Sequence, residues 1–230
     1  MPSEGGTGLT ETTAITQALA ALKRRGSSIL LVGSGCEEAH DHACKRLLGD
    51  DPAEDRRRLF VFTDSPIDVD RRLPSGNWGG DSVRVIDSTV LTRSAATTAQ
   101  PGSISFPTTT VDEDDLAGLG RAISADMETF DMISDGLDAA QLRVCIDSLV
   151  PLLADHDEED VFAFLHALAG ELHRVGGMGH FHLPLSYDAE AVQLIEPLFD
   201  AVIETRCEGD VEYQRWHLQD GRLSTDWLAL

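Results

Sequence analysis

Short apolar runs alternate with amphipathic stretches along most of the chain. Ile29 to Val32 is continuously apolar within a strand expected over Ser28 to Gly33, the pattern of a strand covered on both faces. Similar runs predict strands at Leu59 to Thr63, Ser82 to Asp87, Leu142 to Ile146, Met178 to Leu183 and Ala201 to Arg206. Between them the apolar period lengthens. Ile15, Leu19 and Leu22 share one face of a helix opening at Glu11, and Lys23, Arg24 and Arg25 precede Gly26 as a basic last turn and C-cap. His40 to Leu48, Ala117 to Met132 and Asp188 to Phe199 also read as helices. The clearest is Val161, Leu165, Leu168, Leu172 and Val175, stepping by four and three between the acids Asp157 to Asp160 and Gly176-Gly177. Val211 to Leu218 and Leu223 to Leu230 predict a closing hairpin around Asp220-Gly221.

Strands alternating with helices predict an α/β fold with a mostly parallel central sheet between two helical layers and a C-terminal antiparallel hairpin. Residues 1–10 read as a flexible N-terminus and 11–230 as a single domain, since 230 residues are enough for one α/β core. Ser88 to Thr110, rich in Ser, Thr, Ala, Gly and Pro, reads as a surface excursion.

Charge narrows the picture. Forty acids against 18 bases give a formal net charge of −22, and only Lys23 and Lys45 are lysines. The acids run along the whole chain, so concentrated salt would be needed to screen their repulsion, and a salt-loving host is expected. The same charge disfavours nucleic acid and membrane surfaces as partners. The N-terminal stretch has neither the positive flank nor the apolar core of a secretory signal, so a cytoplasmic protein is expected. Cys36, Cys44, Cys145 and Cys207 lack CxxC spacing, and reduced thiols are the expectation.

Ligands of open parallel sheets bind at the carboxyl ends of the strands. Those ends are Gly33 to Glu38, Thr63-Asp64, Asp87, Asp147-Ser148 and His182. Ile29 to Gly33 followed by a helix looks like a P-loop strand, Leu142 to Leu149 like a Walker B strand, and Phe162 to Leu183 like the helix and strand that follow it. With Leu198 to Arg206, the ordered set resembles the RecA/KaiC-like class, nearest to haloarchaeal KaiC-like proteins of unknown function. The resemblance implies a RecA/KaiC-like three-layer fold, a nucleotide end and side-by-side assembly.

One departure bears on chemistry. A working phosphate loop needs glycine-rich turns, a lysine and a Ser or Thr for Mg²⁺. Here Gly33-Ser34-Gly35-Cys36-Glu37-Glu38-Ala39-His40 contains no Gly-Lys-Ser/Thr, and Glu37 and Glu38 put negative charge where triphosphate would lie. Thr63 and Asp64 stand where the resemblance implies a pair of glutamates, the first or second of which activates water, leaving Asp64 as the catalytic candidate. Asp147 matches the Walker B aspartate, and the competing reading is that it caps the turn after its strand. If a nucleotide is held at all, Gly33, Gly35, Asp147 and Ser148 would hold it.

A second constellation has metal-ligand chemistry. Cys36, His40 and Cys44 fall at i, i+4 and i+8, and His180 and His182 share one face of their strand, a set suited to Zn²⁺. Against it, i and i+8 are about 12 Å apart along a helix. The plainer reading makes Cys44 core and leaves His40 and His42 exposed. His166 and His173, seven apart, fall on the partly exposed side of the long helix. The leading expectation is therefore a noncatalytic domain acting through protein contacts or self-association, in signalling or regulation. The alternatives are a switch using ATP and Mg²⁺ with an atypical loop, and a zinc protein.

Overall fold

The computed structural model describes residues 5–49, 51, 54–64, 69–73, 79, 81–89, 106–218 and 222–230. Its centre is a mixed sheet in which β1 (Ser27–Val32), β2 (Arg57–Phe62), β3 (Val83–Asp87), β4 (Thr108–Thr110), β5 (Leu142–Ile146), β6 (Met178–Leu183) and β7 (Ala201–Glu208) run parallel. Their spatial order is β7-β1-β6-β5-β2-β3-β4. Beyond β7 comes β8 (Val211–Leu218), antiparallel, with β9 (Leu223–Ser224) and β10 (Leu228–Ala229) both paired to it. The α/β class, the mostly parallel sheet and the antiparallel end agree with the sequence pattern.

Alternation along the strands separates two cores. Leu30, Val32, Val61, Val144, Ile146 and Phe181 face a layer formed by α4 (Leu116–Ser134) and α6 (Glu158–Arg174). α4 opens where the Asp115 side chain accepts from the Gly118 amide at 2.7 Å, an N-cap that satisfies one of the helix's free donors. α6 opens on Glu158, Glu159 and Asp160, which suit the positive end of its dipole. The opposite sheet face carries Ile29, Leu31, Phe60, Phe62 and Cys145, covered by α1 (Gly5–Arg25), α2 (Glu37–Leu48) and the short α3 (Val69–Arg72). Each large apolar side chain buried in these layers contributes about 1.5–3 kcal/mol.

Several boundaries differ from the sequence pattern. α1 extends back to Gly5, and α2 starts at Glu37 rather than His40, with Glu37 and Glu38 forming an acidic first turn after Cys36. Thr108–Thr110, expected within the surface excursion, is instead the edge strand β4, held by parallel pairing of Thr108 to Val85. Residues 90–105 of that excursion lie outside the described residues. An additional helix, α5 (Val150–Asp155), follows β5, and Asp188 to Phe199 resolves into α7 (Glu190–Ile195) and a turn of 3₁₀ helix at Glu196–Leu198. The main hairpin joins β7 to β8 through Gly209, while the expected Asp220-Gly221 turn lies outside the described residues. Among the described residues no helix is long and apolar enough to cross a membrane.

Candidate metal centre

The loop after β1 is shaped by contacts within the protein. The Gly33 amide donates to the Leu185 carbonyl at 2.8 Å, and the Gly33 carbonyl lies 2.9 Å from His40 Nε2. Gly33 has φ +138°, and a Cβ there would meet both the carbonyl oxygen and Oγ1 of Thr205 at 2.4 Å, so close approach of β7 requires glycine. Gly35, at φ +77°, faces open space. Asp147 is buried, and its carboxylate accepts from the Thr63 amide at 2.7 Å and the Thr63 hydroxyl at 3.0 Å. Burial pushes its pKa up, against the pull of the Thr63 hydrogen bonds and of Arg72. The Ser148 hydroxyl accepts from the Val150 amide at 3.1 Å, while Asp64 is exposed. Gly33, Gly35, Asp64, Asp147 and Ser148 all line a pocket of about 310 Å³ at the strand ends, together with Arg72.

His40 and His182 form part of the pocket wall, and beyond them is a second cluster with different chemistry. Cys44 projects from α2, Cys145 from β5, and His180 and His182 from alternate positions of β6. All four are buried, and one donor atom from each lies within 4.8 Å of the others. Cys44 Sγ and Cys145 Sγ are 3.6 Å apart, His180 Nε2 is 3.1 Å from Cys44 Sγ, and His182 Nε2 is 3.7 Å from Cys145 Sγ. Strand register makes the cluster: Cys145 pairs with His180, and the period of two puts His182 on the same face, with Phe181 in the opposite core.

Burial and mutual contact set the protonation of these groups. Burial opposes charge on Cys145, yet its hydrogen bond with Cys44 and the Arg72 guanidinium hold its thiol well below the usual range. Burial pushes Cys44 up. His182 is depressed to about 3, chiefly by burial, and is a neutral imidazole with a lone pair to offer. Around these donors, Arg72 Nη1 lies 3.6 Å from Cys145 Sγ, and His40 Nδ1 lies 3.4 Å from His182 Nδ1.

Of the metal candidates read from sequence, Cys44, His180 and His182 come together. Cys36 does not: it is joined in a disulfide to Cys207, 171 residues away, and this corrects the expectation of reduced thiols throughout. The pairing depends on β7 lying beside β1, a relation invisible in local spacing. His40 is buried rather than exposed and contacts a prospective ligand, while His42 is exposed as expected. Cys145 was missed, because it read as one apolar residue of a core strand. Its signal was its place on β5, whose neighbour in the sheet carries both histidines. His166 and His173 are exposed, and His173 Nε2 lies 2.8 Å from Asp200.

The model of a family of unknown function, DUF7504, matches residues 26–205, and the chain belongs to that family. The match takes in all four donors and the loop after β1. No curated protein matches the chain.

Proposed function

We propose that this DUF7504 member is a noncatalytic, RecA/KaiC-like domain in which a closed zinc centre stands beneath the strand ends that a nucleotide would occupy. The observation that carries the zinc reading is the convergence of two cysteine sulfurs and two histidine nitrogens, all buried, within 4.8 Å. Zn²⁺ bonds of about 2.3 Å to sulfur and 2.0–2.1 Å to nitrogen, arranged tetrahedrally, require donor separations of about 3.4–3.8 Å. Of the separations 3.1, 3.6 and 3.7 Å, the last two fall within that interval and the first is shorter. Two thiolates with two imidazoles in a tetrahedron favour zinc over Mg²⁺ or Ca²⁺, which take oxygen ligands.

The site's role in this reading is structural. Four protein donors complete a zinc shell and leave no position for substrate. They tie the middle of α2 to β5 and β6, beside apolar contacts of residues such as Leu48 and the bonds that Arg143 and Arg58 make to the Leu47 and Leu48 carbonyls at the end of the helix. The strand-end features support a nonhydrolysing domain: the Gly33 amide is already bonded, Asp147 is engaged by Thr63, and Glu37 and Glu38 open α2. Function then rests on protein contacts, including self-association, with the zinc centre fixing the shape presented. The test is elemental analysis of untagged protein purified in high salt without chelator. One zinc per chain is expected, and a metal-free protein with an unaltered melting temperature would contradict the reading.

A further inference from the structure

We propose that His40 is a positioning residue of the zinc centre, holding His182 with its proton on Nδ1 and its lone pair on Nε2 toward the metal. The proposal rests on the zinc reading above and adds to it a residue that touches no metal. It follows from which atoms are able to donate. The Gly33 carbonyl oxygen, 2.9 Å from His40 Nε2, can only accept, so the proton of a neutral His40 ring is on Nε2. His40 Nδ1 then carries a lone pair. Across the 3.4 Å between the two Nδ1 atoms, the donor is therefore His182. With its proton on Nδ1, His182 presents a bare Nε2, the atom that stands 3.7 Å from Cys145 Sγ inside the cluster.

Histidines that bind metal usually donate their other N–H to a fixed acceptor, which sets the tautomer and raises ligand basicity. His40 is that acceptor, and its own orientation is fixed in turn. It lies four residues before Cys44 on α2, so one helix face supplies a zinc ligand and the residue that orients another. Its anchor, Gly33, is held by the Leu185 carbonyl and confined by Thr205. The route from the end of β1 to the metal is thus Gly33 carbonyl, His40, His182. The loop that would surround phosphate in an intact nucleotide site here orients an imidazole.

The test compares zinc affinity, by competition with a chromophoric chelator, for the wild type and for His40→Ala, His40→Gln and His40→Asn. Asn places a carbonyl oxygen near the former Nδ1 and preserves the acceptor, whereas Gln reaches the Nε2 position and reproduces only the bond to Gly33. His40→Ala and His40→Gln are expected to weaken zinc binding about 10- to 100-fold, with His40→Asn keeping most of the affinity. An equal loss in His40→Asn and His40→Ala, or no loss in any variant, overturns the proposal while leaving the zinc reading intact. A wild type that binds no zinc overturns the zinc reading itself. The wild-type tautomer, which needs no variant to fold, is measured as well: nitrogen NMR of the zinc-loaded protein should show His182 protonated at Nδ1 and bound through Nε2. Binding through Nδ1 overturns the proposal without any variant.

Discussion

Cys145 and His180 are register partners on the adjacent parallel strands β5 and β6, so the sheet itself holds a sulfur and an imidazole side by side. Cys44 descends from α2 to meet both, its sulfur 3.6 Å from one and 3.1 Å from the other. Because the backbone fixes two of these positions and a helix the third, the cluster needs little rearrangement to bind an ion. Left empty, the cluster has the Arg72 guanidinium, with Nη1 3.6 Å from Cys145 Sγ, as a neighbouring positive charge.

Removing zinc should therefore loosen α2 before the rest of the fold. Treatment with a strong chelator is expected to lower the melting temperature and raise amide exchange across Glu37–Leu48, while α4 and α6 on the far face stay protected. Uniform exchange across both layers would argue against a centre that fastens this helix.

Thiol counting separates the two cysteine pairs. In denaturant with chelator but no reductant, two cysteines should alkylate, Cys44 and Cys145, and after reduction all four. Peptide mapping that finds Cys36 and Cys207 free without reduction would contradict the pairing.

Asp147 should behave as a link between the ends of β5 and β2, not as a cap of its own turn, which Ser148 provides. Asp147→Asn keeps an oxygen to accept from Thr63 and removes a charge that burial disfavours, whereas Asp147→Ala gives up two hydrogen bonds and should cost about 1–3 kcal/mol. The sign of the pH dependence follows from the raised carboxyl pKa. The folded state binds this proton more tightly than the unfolded state, so the contribution to stability is fully present below the unfolded value and is lost as pH rises through the folded one. Asn, which does not titrate, should gain on the wild type over that rise. Chemical denaturation from pH 3 to pH 7 measures it, and a growing wild-type advantage with pH would show the sign to be wrong.

Gly33 and Gly35 should differ sharply. Gly33→Ala puts a methyl group 2.4 Å from two oxygens of Thr205 and is expected to cost more than about 3 kcal/mol, since the strand must shift. Gly35→Ala meets nothing and should cost about 1 kcal/mol, from its positive φ alone. Similar melting temperatures for the two variants would mean that β7 does not confine the loop.

The fold was largely legible from residue periodicity, because Ile29 to Val32, Leu142 to Ile146 and the Val161 to Val175 helix each bury whole faces whose spacing is local. The centre was only partly legible. His180 and His182 share a face by their period of two, but Cys145 joins them through strand register, and Cys36 leaves them through a long-range disulfide. Neither relation has a sequence spacing. The edge strand β4 was hidden for a similar reason, its three threonines being defined by the partner β3 rather than by any apolar pattern of their own.

The net charge of −22 leads to a prediction independent of the metal. Diluting KCl from molar to millimolar concentration should lower the melting temperature, because the Debye length grows from about 3 Å to tens of ångströms and the acids repel one another. An unchanged melting temperature would remove the case for a salt-adapted surface.

X-ray absorption at the zinc edge of the purified protein tests the central claim most directly. The account predicts a four-coordinate ion with two sulfur ligands at about 2.3 Å and two imidazole nitrogens at about 2.0 Å. A shell of oxygen ligands, or a spectrum unchanged when Cys44 and Cys145 are both replaced by Ser, would contradict it.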